Sequence, residues 1–295
     1  MRRILASPSP NSNYTHLIVF SRILRGANAS TLSNPNPTPK RRDLILLAAL
    51  IEYPGFDLIL YETGCAENLE VVRTYPLLHS FTHKRKANTN PYKKNWGAPI
   101  TDIFPRTTYT HTQRLPAAIK ETGNDISDVR AVIMGHLHLD HAGGLEHFVN
   151  SNVPIYVHEE ELKHACWAVA TGADLGVYLS HYLHLDALNW KTFSEGTVDL
   201  FRGITLHHAP GHTPGLCMMQ VNLERDGTFI WTSDMFHVRE NFEEERAHGG
   251  LARDHCAWVR SLGLVKRLQG LFGATLVFGH DRDVAMGLMG TKYYE

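Results

Sequence analysis

Apolar runs of strand length, each closed by turn residues, recur along the chain. They are "LILLAALIEYPG" (Leu44–Gly55), "DLILYETG" (Asp57–Gly64), "VRAVIMG" (Val129–Gly135), "VPIYVHEEE" (Val153–Glu161), "GITLHHAPG" (Gly203–Gly211), "TFIWTSD" (Thr228–Asp234) and "ATLVFGHD" (Ala274–Asp281). β-Branched, leucine and aromatic residues fill these runs, and Gly, Pro or Asp punctuates their ends, the pattern of half-buried or buried strands. An earlier run, "HLIVFSRIL" (His16–Leu24), has the same content and reads as a first strand, followed by a loop rich in Asn, Ser and Pro at Asn28–Pro39. Helical patterns fall between the runs, at Leu115–Thr122, Gly144–Val149, Glu159–Ala170 and Cys256–Leu271. The mixture predicts an α/β chain with two layers of sheet covered by helices.

Two stretches break the pattern. Thr74–Arg114 is rich in Lys, Asn, Thr and Pro and carries Tyr75, Phe81, Tyr92, Trp96, Phe104 and Tyr109. Gly172–Trp190 holds Tyr178, Tyr182 and Trp190 among leucines. Insertions of this length serve as lids or binding loops. The plainer readings, a solvated surface loop for the first and a core helix for the second, fit equally well. Either way, residues 1–295 read as one domain with a long insertion at about 74–114 and a possible lid at about 172–190.

Composition narrows the classes. A hydrophobic share of 43% over 295 residues is enough for a sizeable soluble core. Lys plus Arg (29) balances Asp plus Glu (30), so no overall positive field exists to hold nucleic acid or an anionic membrane. The local cluster His83-Lys84-Arg85-Lys86 with Lys93-Lys94 is the one basic patch. No apolar run approaches the roughly 18 residues of a membrane span. Cys65, Cys166, Cys217 and Cys256 are widely spaced and form no CxxC, which argues against a disulfide scaffold or a thiolate metal site and fits a reducing, cytoplasmic setting. The first 42 residues lack Asp and Glu and begin Met-Arg-Arg, as a transit peptide would, but the content of His16–Leu24 favours a strand.

The 19 histidines are the outlier. "GHLHLDHAGG" sets His136, His138, Asp140 and His141 just past the run that ends at Gly135. "GITLHHAPG" leads into His212, "TFIWTS" into Asp234, and "ATLVFG" into His280. Seven candidate ligands thus follow the ends of four separate strands, where short loops can converge on one point. Five imidazoles and two carboxylates without a thiolate suit Zn, Fe or Mn. His136-x-His138 in extended chain turns both rings to one side, while Asp140 and His141 diverge as the chain enters a helix. One segment can therefore serve two adjacent metals, with Asp234 bridging them.

"HLHLDHAGG", "GHTPG", "WTSD" and "VFGHD" together resemble the signature of the metallo-β-lactamase superfamily. The spacings His141 to His212 (71), His212 to Asp234 (22) and Asp234 to His280 (46) are most similar to its N-acyl homoserine lactone lactonase branch. "LILYETG" resembles the strand and turn that precede the family's site, with Glu62 where an Asp is usual. The resemblance runs from about residue 15 to the C-terminus and leaves the 74–114 insertion outside.

It implies an αββα sandwich, two mixed β-sheets flanked by helices, with a centre of two zinc ions (iron or manganese being alternatives). His136, His138 and His212 would bind one metal, Asp140, His141 and His280 the other, and Asp234 both. A hydroxide between the metals would attack a small cyclic ester, and Asp140 would protonate the leaving group. Family lactonases carry a Tyr three residues after the bridging Asp, hydrogen-bonded to the substrate carbonyl. Here His237 holds that position, and it can donate the same bond or relay a proton. A γ-lactam or a cyclic carbamate such as a benzoxazolinone is the alternative substrate. Thioester hydrolysis, nuclease action and metal binding without catalysis rank lower. The partner implied is a small cyclic molecule, with no nucleic acid or membrane, and the family suggests a homodimer.

Overall fold

A computed structural model describes residues 14–26, 42–66, 72–73, 92–93, 111–174, 177–179, 183, 187–289 and 293–295. In it, one sheet takes β1 (Tyr14–Gly26), β2 (Arg42–Tyr53) and β3 (Asp57–Tyr61), and a short ribbon pairs β4 (Val72–Arg73) with β5 (Tyr92–Lys93). β6 (Val129–Ile133), β7 (Pro154–His158) and β8 (Asn189–Phe193) complete the first sheet, in the order β1-β2-β3-β6-β7-β8. Its first three strands are antiparallel, and from β3 onward neighbours run parallel. The second sheet holds β9 (Thr197–Phe201), β10 (Ile204–His208), β11 (Cys217–Asn222), β12 (Thr228–Trp231) and β13 (Thr275–Val277), in the order β13-β12-β11-β10-β9. Both sheets are mixed, since β12 and β13 pair in parallel.

β2 shows why the chain stacks in layers. Side chains alternate across a strand, so an unbroken apolar run must be covered on both faces. Ile45, Leu47, Ala49 and Ile51 point toward the second sheet and pack with Leu206, Met219, Val221 and Trp231. Leu44, Leu46, Ala48 and Leu50 point the other way, into a layer built on α1 (Leu115–Glu121), the single turn α2 (Leu139–Ala142) and α3 (Glu159–Thr171). The outer face of the second sheet, at Met218, Ile230 and Leu276, is covered by Trp258, Leu262, Val265 and Leu268 of α5 (His255–Phe272). Between β12 and α5 lies the short α4 (Arg239–Glu243), and α6 (Arg282–Leu288) follows β13. The result is the αββα order that the apolar pattern and the family resemblance anticipate.

Several elements depart from the sequence reading. β8 ("NWKTF") and β9 ("TVDLF") are half exposed and mix charge with aromatics, so their pattern is weak. β11 ("CMMQVN") is buried on both faces but rich in Met, with little β-branched content. The helix expected at Gly144–Val149 is a 3-10 segment, Gly143–Phe148, opened by two glycines that hold a helix poorly. Of Gly172–Trp190, the chain runs irregularly through 173–174 and 177–179 and enters β8 at Asn189; the rest lies outside the described residues. So do most of the Thr74–Arg114 insertion, the loop at Asn28–Pro39 and the basic cluster apart from Lys93. No described helix is long and apolar enough to cross a membrane.

A buried carboxylate fastens the two sheets together where they meet the histidine loops. Glu161, on the first turn of α3, is fully buried. Its Oε1 accepts from Leu137 N (2.9 Å) and Tyr178 Oη (3.2 Å), and its Oε2 from Thr213 Oγ1 (2.6 Å) and Gly215 N (3.2 Å). Leu137 follows the first sheet and sits between His136 and His138, while Thr213 and Gly215 belong to the loop after β10. The fit is close: a Cβ on Gly215 would lie 2.1 Å from Glu161 N. Glu161→Ala strands two buried N–H groups and two hydroxyls, each worth about 1–3 kcal/mol when unpaired. It should therefore lose about 3 kcal/mol or more in urea unfolding, with Glu161→Gln losing less. An unchanged urea midpoint for Glu161→Ala would show that the clamp is dispensable.

Candidate metal centre

β6 ends at Ile133, and the loop it feeds starts under tight steric control. A Cβ on Gly135 would meet Glu62 Oε1 at 2.3 Å and Tyr61 Oη at 2.6 Å, so only glycine lets the chain pass. Gly135 O accepts from Cys217 N (2.8 Å), tying this exit to the second sheet. His136 and His138 follow in extended chain, and Asp140 and His141 fall in the single turn Leu139–Ala142. The loops after β10, β12 and β13 bring His212, Asp234 and His280 to the same place. All seven residues expected from the sequence converge.

Their arrangement divides in two. His138 Nδ1 and His212 Nε2 stand 3.0 Å apart, with the His136 ring packed edge-on against both. On the other side, His141 Nε2 and His280 Nε2 each lie 3.7 Å from Asp140 Oδ2. Asp234 sits between the groups. Its Oδ1 is 2.9 Å from His280 Nε2 and 3.2 Å from His141 Nε2, and its Oδ2 is 3.5 Å from His212 Nε2 and 3.9 Å from His136 Nε2. The sets His136, His138, His212 and Asp140, His141, His280 each place three donor atoms within reach of one ion.

Hydrogen bonds fix which ring nitrogen is free. A carbonyl only accepts, so His212 Nδ1 carries the proton it gives to Leu251 O (2.8 Å), and His280 Nδ1 the one it gives to Ile45 O (2.7 Å). His141 Nδ1 faces Glu62 Oε2 at 3.2 Å. Ser233 Oγ donates to Glu62 Oε1 (2.8 Å), which leaves it to accept from His136 Nδ1 (3.1 Å). The Nε2 atoms of these four rings therefore point inward. Such outer partners orient metal-binding histidines and raise their basicity. His138 Nδ1 and His212 Nε2 at 3.0 Å, beside the buried Nε2 atoms of His136 and His141 that have no hydrogen-bond partner, make a cluster of donor atoms that a cation would satisfy. The donor set fits two metals.

Electrostatics agrees with the geometry. Burial holds His136, His138 and His212 well below the ordinary histidine range, so they stand as neutral donors. Burial also opposes charge on His141, but the carboxylates of Asp234, Glu62 and Asp140 outweigh it and hold that ring well above its usual range. His280 is raised in the same way, with Asp234 overcoming burial. Asp234, despite burial, is held well below the usual carboxylate range by His280, His141 and His237. Positive charge is favoured on the Asp140 side.

His237 lies beside this centre, its Nε2 3.1 Å from Asp234 Oδ2. Sequence reasoning marked Glu62 only as a departure from the family's Asp. In the structure the longer side chain spans both histidine groups, through His141 directly and through Ser233 to His136. Ser233, Glu161 and His248 were not singled out. Ser233 is signalled only by its place before Asp234, and His248 by nothing local.

A family model described as the Metallo-beta-lactamase superfamily matches residues 105–280. An N-acyl homoserine lactonase of Bacillus sp is 32% identical over 181 residues, 60% of this chain and 66% of that protein's length. The N-acyl homoserine lactonase AiiB of Agrobacterium fabrum is 25% identical over 282 residues, 91% of this chain and 92% of that one. Among solved structures, a mutant of Bacillus thuringiensis AiiA with N-decanoyl-L-homoserine bound at the active site superposes with a TM-score of 0.71 at 23% identity, covering 94% of this chain and 96% of that one. The dizinc quorum-quenching lactonase AidC gives a TM-score of 0.61 at 15% identity, covering 92% and 88%. With the four-layer fold, the converging ligand loops and a family match over more than half its length, the chain belongs to the metallo-β-lactamase superfamily.

Proposed function

We propose that this protein is a dinuclear metal hydrolase that opens a small cyclic ester. The observation that carries the reading is the Asp234 carboxylate set between two groups of inward-facing histidines. The lactonase names of its relatives support a lactone as substrate. In this reading His136, His138 and His212 would hold one metal and Asp140, His141 and His280 the other, with Asp234 available to each. Zinc suits the nitrogen and oxygen donors best, and iron or manganese also fits them. When bound, such metals lower the pKa of water to about 7 and polarise the carbonyl under attack.

The chain's own residues supply the rest. Opening a lactone breaks the acyl carbon–oxygen bond, and the leaving oxygen needs a proton. Asp140 would deliver it, a role supported by its side chain being 16% exposed while Asp234, at 4%, is sealed in. His237, 11% exposed, donates to the substrate carbonyl in place of the family's Tyr. His237 in place of that Tyr departs from the acyl homoserine lactone pattern, and a γ-lactam or a cyclic carbamate is the second reading. A panel of an acyl homoserine lactone, an unsubstituted γ-lactone, a γ-lactam and a benzoxazolinone decides between them. Turnover of none by metal-loaded protein would sink the proposal.

These roles have consequences for metal content and rate. Purified active protein should hold close to two metal ions per chain, and Asp234→Ala should lose at least one of them with nearly all turnover. Elemental analysis of active enzyme finding a single ion would remove the dinuclear scheme. His237→Ala should keep both ions and slow the best ring substrate at least about tenfold, since one preorganised donor is worth roughly 10² to 10³ in rate. Loss of an ion from His237→Ala would instead make His237 a ligand, which its 3.1 Å approach to Asp234 permits.

A further inference from the structure

His237 is enclosed by three imidazoles from different loops. His212 and His280 meet it edge-on, with ring centroids at 5.5 and 5.0 Å and interplanar angles of 72° and 83°. His248 alone among the described residues lies flat against its face, at 4.2 Å and 18°. An imidazole held only by its edges can turn about its last torsion, which is broad and soft for histidine. A flat ring on its face removes that freedom.

The His248 ring is itself anchored. Its Nε2 lies 3.3 Å from His212 Nδ1, the nitrogen whose proton goes to Leu251 O. Gly249, at φ +64°, turns the chain directly after it, and Leu251 N and Ala252 N close back onto His248 O and Gly249 O. Asp254 N donates to Gly211 O, and Arg253 pairs with Asp174, so both ends of this turn are pinned to the wall of the centre. His248 is not itself placed to share an ion with His237. The three residues His212, His237 and His248 bring nitrogens near one another. But nearly parallel rings send their in-plane lone pairs side by side, and both His212 nitrogens are already committed.

We propose that His248 is a positioning residue: its stacked ring locks the plane of His237, so that one His237 nitrogen faces Asp234 and the ring is held ready for the substrate carbonyl. The proposal rests on the role given to His237 above. It commits His248 to packing rather than to chemistry, so a flat apolar ring should replace it.

The test uses full-length, metal-loaded protein, with dihydrocoumarin as the probe lactone. His248→Ala should keep two ions and lower kcat about tenfold or more, with His248→Phe within about threefold of wild type. In a His237→Ala background, His248→Ala should change kcat less than about twofold, because a residue acting through another shows full non-additivity. Side-chain ¹³C relaxation of the His237 ring, which needs no substrate, should show it loosened in His248→Ala and rigid in His248→Phe. Additive losses, a missing ion in His248→Ala, or a His237 ring equally rigid without its neighbour would each overturn the assignment. A wild type inert toward every ring ester would overturn the functional reading instead, while the relaxation measurement would still decide the role of His248.

Discussion

The contact of one buried carboxylate with imidazoles on both its edges is the interaction on which the rest of the structure depends. Asp234 faces His141 and His280 with one oxygen and the His136–His212 side with the other. Burying an ionised carboxylate among imidazoles costs desolvation, which charge on His141 and His280 offsets in part. The frame must hold them together regardless. It does so by drawing the ligands from the ends of β6, β10, β12 and β13, which belong to two sheets packed through a continuous apolar layer. The hydrophobic sandwich supplies the rigidity, and the loops only direct it.

Part of that cost is stored in the backbone. Glu62 and Ser233 both adopt left-handed conformations, at φ 61° and 47°, which for residues other than glycine cost about 1–3 kcal/mol each. They are hydrogen-bonded to each other, and between them they orient His141 and His136. Strain here is concentrated at the two residues that couple the histidine groups. A glutamate in place of aspartate suits that task, since its extra methylene lets one carboxylate reach both partners.

How much of this was legible follows from what kind of signal each part leaves. The candidate ligands could be picked out because chemistry needs particular side chains at strand ends, and four of the seven lie within "HLHLDH". The layered fold was readable from β2 and β6, whose apolar runs require cover on both faces. β8 and β9 were not, because half-exposed strands mix polar and apolar residues without a clean period. Glu161 looked like one of three acidic residues opening a helix, where charge is favoured at the surface, and only the fold shows that it is buried. The partners of His212 and His280 are main-chain carbonyls of Leu251 and Ile45, and a carbonyl has no letter in the sequence.

That last feature makes the centre unevenly vulnerable to genetic change. His212 and His280 are oriented by groups that every amino acid possesses, so drift at positions 251 and 45 can swap side chains without erasing either bond, provided the backbone stays put. His136 and His141 rest on a serine hydroxyl and a glutamate carboxylate, which a single codon change removes. The two groups of histidines thus carry different mutational robustness. Variation among descendants of this chain should therefore be tolerated freely around positions 45 and 251 and resisted at 62 and 233.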